Sequence, residues 1–340
     1  MSLTWALLAL AALVLVVIAV QGYWPLRRGG GERTRTVQAQ RSEPPLGEVD
    51  AQDAVPSDMP RPIMRAQPRL DALIDALVPL LLEQQVTGEF VILHLPASHR
   101  AGSKPFYIEG LSADNGQWEP PQPGQRYAEL QAGVQLVNRG GALNEIEYSE
   151  FVQKVQAFAD AVGATPEVPD MLDVVARARE LDAFVSPRDA QLSVTLRSDA
   201  VAWSVGYLHQ CAQRHGFVPG NVPGRLVRPS AEAGAPPVLT LAFDPQAALA
   251  DDPQKAAVRE VQLNLDVPQT PASAEPFPAW HDAARQLADE MAATVVDDFG
   301  EPITLHAFAA IGKELEQLYD QLAAHDLAAG SAAARRLFSG

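Results

Sequence analysis

The stretch "LADEMAATVVDDFGEPIT" (Leu287 to Thr304) sets Asp297 and Asp298 side by side, with His281 and His306 at either side. Two carboxylates near an imidazole could share a proton or hold a divalent cation, but either chemistry needs the groups to converge. "ATVV" reads as a short strand and "DDFGEP" as a turn, and adjacent residues on a strand point to opposite faces. The pair is therefore read as part of a turn, with Thr304 placed to cap a final helix.

Cys211 and His215 are four apart on an expected helix and share a face, a spacing that can present two metal ligands. Leu208 and Ala212 lie on the same side and no second cysteine exists in the chain, so the pair reads as core packing. His94 and His99 flank a turn. "RAGSKP" (Arg100 to Pro105) lacks the Gly-to-Gly-Lys frame in which backbone amides cradle phosphate. No G-x-S-x-G, H-E-x-x-H or C-x-x-C occurs. The chain is expected to have no catalytic, cofactor-binding or metal-ligating residues, to need no cofactor, to bind neither nucleic acid nor a small-molecule substrate, and not to be an enzyme.

The elements that would hold such residues follow from hydrophobic period. Strands are expected at Phe90 to Leu95, Pro105 to Leu111, Tyr127 to Asn138, Ala190 to Leu196, Val238 to Phe243 and Val261 to Val267. In the last three, alternate positions are apolar, which buries one face and leaves the other open. Helices are expected over "YSEFVQKVQAFADAVGA", with Phe151, Val155, Phe158 and Val162 in register, over "MLDVVARARELDAF", "WSVGYLHQCAQRHGF" and "AWHDAARQLADEM", and from Leu305 to Ala324. The fold class is α+β, an antiparallel or mixed sheet with helices on one face, of the split β-α-β type.

A net charge of −16 opposes binding to phosphate backbones, and a hydrophobic content of 47% is ample for a packed core. "LTWALLALAALVLVVIAV" (Leu3 to Val20) carries no charge and as a helix covers roughly the 30 Å of a bilayer core. Residues 1–24 are read as a membrane anchor. Arg27, Arg28, Arg33 and Arg35 follow it, which by the positive-inside bias places the N-terminus in the periplasm and the remainder in the cytoplasm. Residues 25–69, rich in Gly, Pro, Gln and charge, are read as a disordered polar linker. Two related units follow at 70–180 and 181–328, and then a flexible tail at 329–340. The division into units rests on short words recurring in order: "IDALV" and "LDAFV", "VQL" at Val134 and at Val261, "ADAVGAT" and "ADEMAAT". The first unit, with only "PASHRAGSK" opposite the helix at Trp203 to Phe217, is expected to lack that helix.

The succession "VQLNLDVP", "ARQLADEMAATVVDDFGEPIT" and an amphipathic last helix, with "HGFVPG" and "PPVLTLA" before it in order, resembles the C-terminal domain of the ZipA family of bacterial cell-division proteins. The anchor, linker and domain layout is similar to theirs. The resemblance implies an inner-membrane adaptor that binds the FtsZ C-terminal peptide, or another divisome partner, on the open face of its sheet. Carried over, that face falls on Gln191, Ser193 and Thr195 in the first strand, near Val222 in the second, on Ala242 and Asp244 in the third, and on Gln262 and Asn264 in the fourth. Asp244 and Asn264 stand where the family has bulky apolar groups, and a polar floor forgoes the usual roughly 25 cal/mol per Å² of apolar burial. The first unit offers Phe90, Ile92, Tyr107 and Val137 as a more apolar platform; alternatively the two sheets cover one another. The competing class is a membrane-tethered enzyme or ligand-binding domain, which requires a closed pocket with converging ionisable groups.

Overall fold

The computed structural model describes residues 69–303 and 305–339. The apolar run Leu3 to Val20, the linker up to residue 68 and the capping position Thr304 lie outside the described residues. Among the described residues no helix is long and apolar enough to cross a membrane. The fold is α+β, and every strand pairing in its two large sheets is antiparallel.

The first sheet is built on Asp75–Leu82 (β1), Lys104–Ser112 (β2), Arg126–Gln135 (β3) and Ala164–Pro166 (β4). Across the sheet the order is Arg100–Ala101, β2, β3, β1, β4. Ala76, Val78 and Leu80 alternate inward on β1 and meet Phe106, Ile108, Leu130, Ala132 and Val134 in one core. Glu145–Val162 (α2) and Met171–Val185 (α3) close that core. On α2 the expected register is seen: Phe151, Val155, Phe158 and Val162 are buried. The helix starts at a reciprocal cap in which Asn144 and Glu147 satisfy each other's backbone amides, and it ends at Gly163, whose φ of 72° suits a residue without a Cβ.

Phe90 to Leu95 is not a strand. Gly88–His94 (α1) is a helix whose N-cap, Thr87, accepts from the Phe90 amide at 3.4 Å. A short apolar run carries no decisive period, and here the cap settles it: Thr87 satisfies a free helix amide and Glu89 stands in the positive first turn. One face, through Val91, enters the core, while Leu93 is exposed. The first half therefore has a helix just before "PASHRAGSK".

The second sheet comprises Gln191–Ser198 (β5), Arg225–Arg228 (β6), Leu239–Ala242 (β7), Glu260–Asp266 (β8) and Ala293–Val296 (β9), in the order Val218–Pro219, β6, β7, β8, β5, β9. Its helices are Val205–Arg214 (α4), Pro276–Met291 (α5) and Leu305–Ala323 (α6). Val194, Leu196, Leu239, Leu241, Val261, Leu263 and Leu265 face a core that includes Leu208, Trp280 and Leu287. The indole N–H of Trp280 donates to the Leu263 carbonyl at 3.2 Å, so the ring is seated with its polar atom satisfied.

Both halves run through the same succession. A strand leads to a two-residue strand that caps a helix: Val86–Thr87 before α1, Trp203–Ser204 before α4. The capping hydroxyls are Thr87 and Ser204. Each short strand pairs with residues at the start of, or just before, the strand that later flanks the first one, Val86 with Tyr127 and Trp203 with Val258. Along the main strand order the second sheet runs one strand further, through Val218–Pro219, while the first sheet carries two short strands off that path.

Residues 329–340 were expected to be a loose tail, but Ala332–Leu337 (α7) is a helix capped by Ser331. Ala334, Leu337 and Phe338 are buried in the first half's core. Apolar side chains three and four apart on a short helix have a stripe to bury, and the core of the other half supplies the place. The unit boundary at 328 is thus crossed by the chain's own end.

Candidate functional site

The outer face of the second sheet is built by the alternate residues its core strands turn away from the helices. The register sets them in rungs. Arg225, Ala242, Gln262 and Thr195 form one; Val227, Thr240, Asn264 and Ser193 form the next; Asp266 and Gln191 form the third. Rungs lie roughly 7 Å apart along the strands. Pro236, Pro237 and Val238 wall one side of the resulting open groove of about 620 Å³, and Asp298 and Arg139 also line it. Gln191, Ser193, Ala242, Gln262 and Asn264 are brought together there as the strand alternation required. Thr195 shares the face through its pairing with Gln262.

Val222 and Asp244 are not part of this floor. Val222 lies in the loop before β6, exposed. Asp244 follows the end of β7, where its carboxylate caps the short helix Pro245–Ala248 by accepting from the Gln246 amide at 2.9 Å. The proline after it ends the strand, so alternation cannot be extended to that position.

The groove's polar groups divide into two sets. At one end Arg139, from the first half, donates to Asp189 at 2.7 Å and to Asp266 at 2.9 Å, and a half-turn of the Gln191 amide sets its oxygen 2.9 Å from the same guanidinium. Burial pushes the Asp266 carboxyl up from its ordinary value, against the pull of Arg139. In the middle, the Ser193 hydroxyl oxygen is buried without a partner. The Asn264 amide makes only a long contact, 3.5 Å, to the Gln262 carbonyl. A buried hydroxyl without a partner carries a desolvation cost.

The first sheet's outer face is different, and the residues expected there are mostly elsewhere. Phe90 and Ile92 belong to α1 and Val137 is buried at 2% exposure, inside the core. The expectation failed because a run read as a strand coils into a helix, and because Val137 follows the end of β3 into a separate two-residue strand. Tyr107 does face outward. Over it lie the guanidinium groups of Arg69 and Arg336, 5.4 and 5.2 Å from the ring centre. The Arg69 and Leu70 amides both donate to Glu109, which is 1% exposed, and the Leu70 side chain sits where Gly133 leaves room. This platform is therefore occupied by the chain's own residues 69–71.

Asp297 and Asp298 do not converge, and neither do Cys211 and His215. Asp297 accepts from the amides of Phe299 and Glu301, both at 2.9 Å, fixing the turn, while Asp298 faces the groove. Cys211 is fully buried in the second core. His215 turns instead to Glu290, with Nε2 2.7 Å from Oε2. That hydrogen bond, with Arg214 beside it, holds the Glu290 carboxyl below the usual range. Among the described residues no three His, Cys, Asp or Glu side chains cluster as metal ligands would. Sequence reasoning missed Arg139 and Arg225. Arg139 reaches the groove from the other half, which no period reveals, but Arg225 opens a strand and its alternation with Leu226 was readable.

A second recess of about 450 Å³ lies between the start of α5 and α6, lined by Phe277, Phe308, Leu315 and Tyr319. Burial pushes the Tyr319 hydroxyl up, and its oxygen has no partner. Compared with models of known protein families and with curated proteins, the chain matches none.

Proposed function

We propose that the chain is a membrane-anchored adaptor that holds a cytoskeletal partner, FtsZ or another divisome protein, at the bacterial inner membrane through the outer face of its second sheet. In this reading two related units stand in tandem behind a single N-terminal membrane helix, with the N-terminus in the periplasm and the folded part in the cytoplasm. The observation that supports it best is the open groove floored by Ser193, Gln262 and Asn264, which no helix covers among the described residues. A docking face needs an accessible, rigid surface, and a sheet backed by a full core provides one. Many anchored copies along a polymer make even weak contacts effective by raising local concentration. The test is co-sedimentation of the full chain with FtsZ filaments. Capture that Asn264→Arg abolishes supports the reading, and absence of capture by the unaltered chain overturns it.

A further inference from the structure

We propose that the outer face of the first sheet is a docking site for an extended, leucine-bearing segment of a partner protein, and that the chain's own residues 69–71 block it. This surface is separate from the one on the second sheet.

The seat comes from one rung of the sheet. Tyr107, Gly133 and Leu77 stand side by side on β2, β3 and β1. With no Cβ at Gly133, the middle of the rung is a notch between an aromatic ring and an aliphatic side chain. A Cβ there would lie 2.5 Å from a Leu70 methyl and 2.9 Å from a Leu77 methyl, so Leu70 fills the notch. The rungs on either side read the main chain. On one, the Glu109 carboxylate accepts from the amides of Arg69 and Leu70. On the other, Asp75 accepts from the Asp71 amide at 2.8 Å, and Arg336, which Asp75 holds, donates to the Arg69 carbonyl.

What is recognised is therefore backbone and one aliphatic group. Arg69 and Asp71 are exposed, and a guanidinium over a ring at the surface adds little. Neither flanking charge selects the occupant.

The recognising groups are held in place without it. Gln131 donates to Glu109 at 3.2 Å from within the sheet, and the fully buried Asp75 fixes Arg336. A site whose walls stay in position when it empties loses little in ordering itself for a new occupant. Nor does this fold require a cover there, since the same face of the second sheet lies open. The resident segment is joined to β1 through Ala72, Leu73 and Ile74, so its local concentration is high and a partner has to displace it. Leu70 is thus a built-in competitor that sets a threshold for docking.

The probes are fluorescein-labelled hexapeptides. The first copies residues 67–72 with glutamine for its arginine and asparagine for its aspartate; a second has serine in place of the leucine; a third has the leucine N-methylated. Anisotropy titrations use the full chain, unaltered and with Leu70→Asp, which empties the seat without touching its walls. Leu70→Asp should bind the first peptide, and the unaltered chain should bind it at least about tenfold more weakly. The other two peptides should bind Leu70→Asp about tenfold more weakly than the first, one losing the apolar contact and the other an amide donated to a carboxylate. On the unaltered chain, a millimolar excess of the first peptide, which has no tryptic site, should speed tryptic cleavage after Arg69. That arm needs no variant to fold. Cleavage left unchanged overturns the proposal, as does equal binding of the three peptides, or no binding by a Leu70→Asp chain whose circular dichroism is native. Dimerisation of the unaltered chain that Leu70→Asp abolishes would assign the seat to a second copy and also overturn it.

Discussion

Asp75, at the start of β1, an inner strand of the first sheet, is paired with Arg336 in α7, with Nη1 2.8 Å from Oδ2. The carboxylate is fully buried. The same guanidinium accepts no alternative role at the surface, because it also donates to the Arg69 carbonyl and lies over Tyr107. Where the described chain begins and where it ends are thus tied to one residue on one sheet face.

Removing Arg336 strands a buried charge, which typically costs about 3–5 kcal/mol. Arg336→Ala is therefore expected to lower the urea midpoint sharply. Asp75→Asn with Arg336→Met, which removes both charges, should recover most of that loss. Equilibrium unfolding of the three forms checks it.

Gly133 is needed because a Cβ there would lie 2.5 Å from a Leu70 methyl. Since the obstruction is the end of a flexible side chain, Gly133→Ala should leave the sheet intact and displace the segment. Faster tryptic cleavage after Arg69, with far-ultraviolet circular dichroism unchanged, is the expected outcome.

Asp266 gives the stability a pH dependence of known sign. Its folded value is raised above 3.8 by burial. Between those two values the native state holds the proton more tightly than the unfolded chain, so this contribution is present below 3.8 and is lost as pH rises through the folded value. Asp266→Asn should flatten that part of the stability profile, measured as urea midpoints from acid to neutral pH.

Loss of the Asn144 cap should cost about 1 kcal/mol, because two amides at the start of α2 lose their acceptor. Asn144→Ala is the variant, and thermal unfolding is the readout. Asn144→Ser, which can still cap, should retain most of the stability.

How much of this was legible in the sequence depended on whether the signal was local. Strict alternation at Leu192, Val194 and Leu196 and at Val261, Leu263 and Leu265 fixed which residues face the groove, and the structure places them so. Gly88–His94 was misread because four apolar residues in a row fit either period, and only the Thr87 cap distinguishes them. β1 was overlooked because Pro79 interrupts "LVPLLL". The proline is tolerated there because the partner on that side, β4, pairs only with Leu80, Leu81 and Leu82. The insertion of Phe338 into the other half's core and the reach of Arg139 to Asp266 are long-range, and no window of sequence contains them.

The most direct test of the docking face is site-specific photo-crosslinking to FtsZ filaments, with a benzophenone amino acid placed at Gln262 in the groove or at Leu81 on the outer side of the first sheet. Crosslinks from position 262 and none from 81 are the predicted result. Crosslinks from 81 alone, or from neither position in a chain that folds normally, would contradict the account.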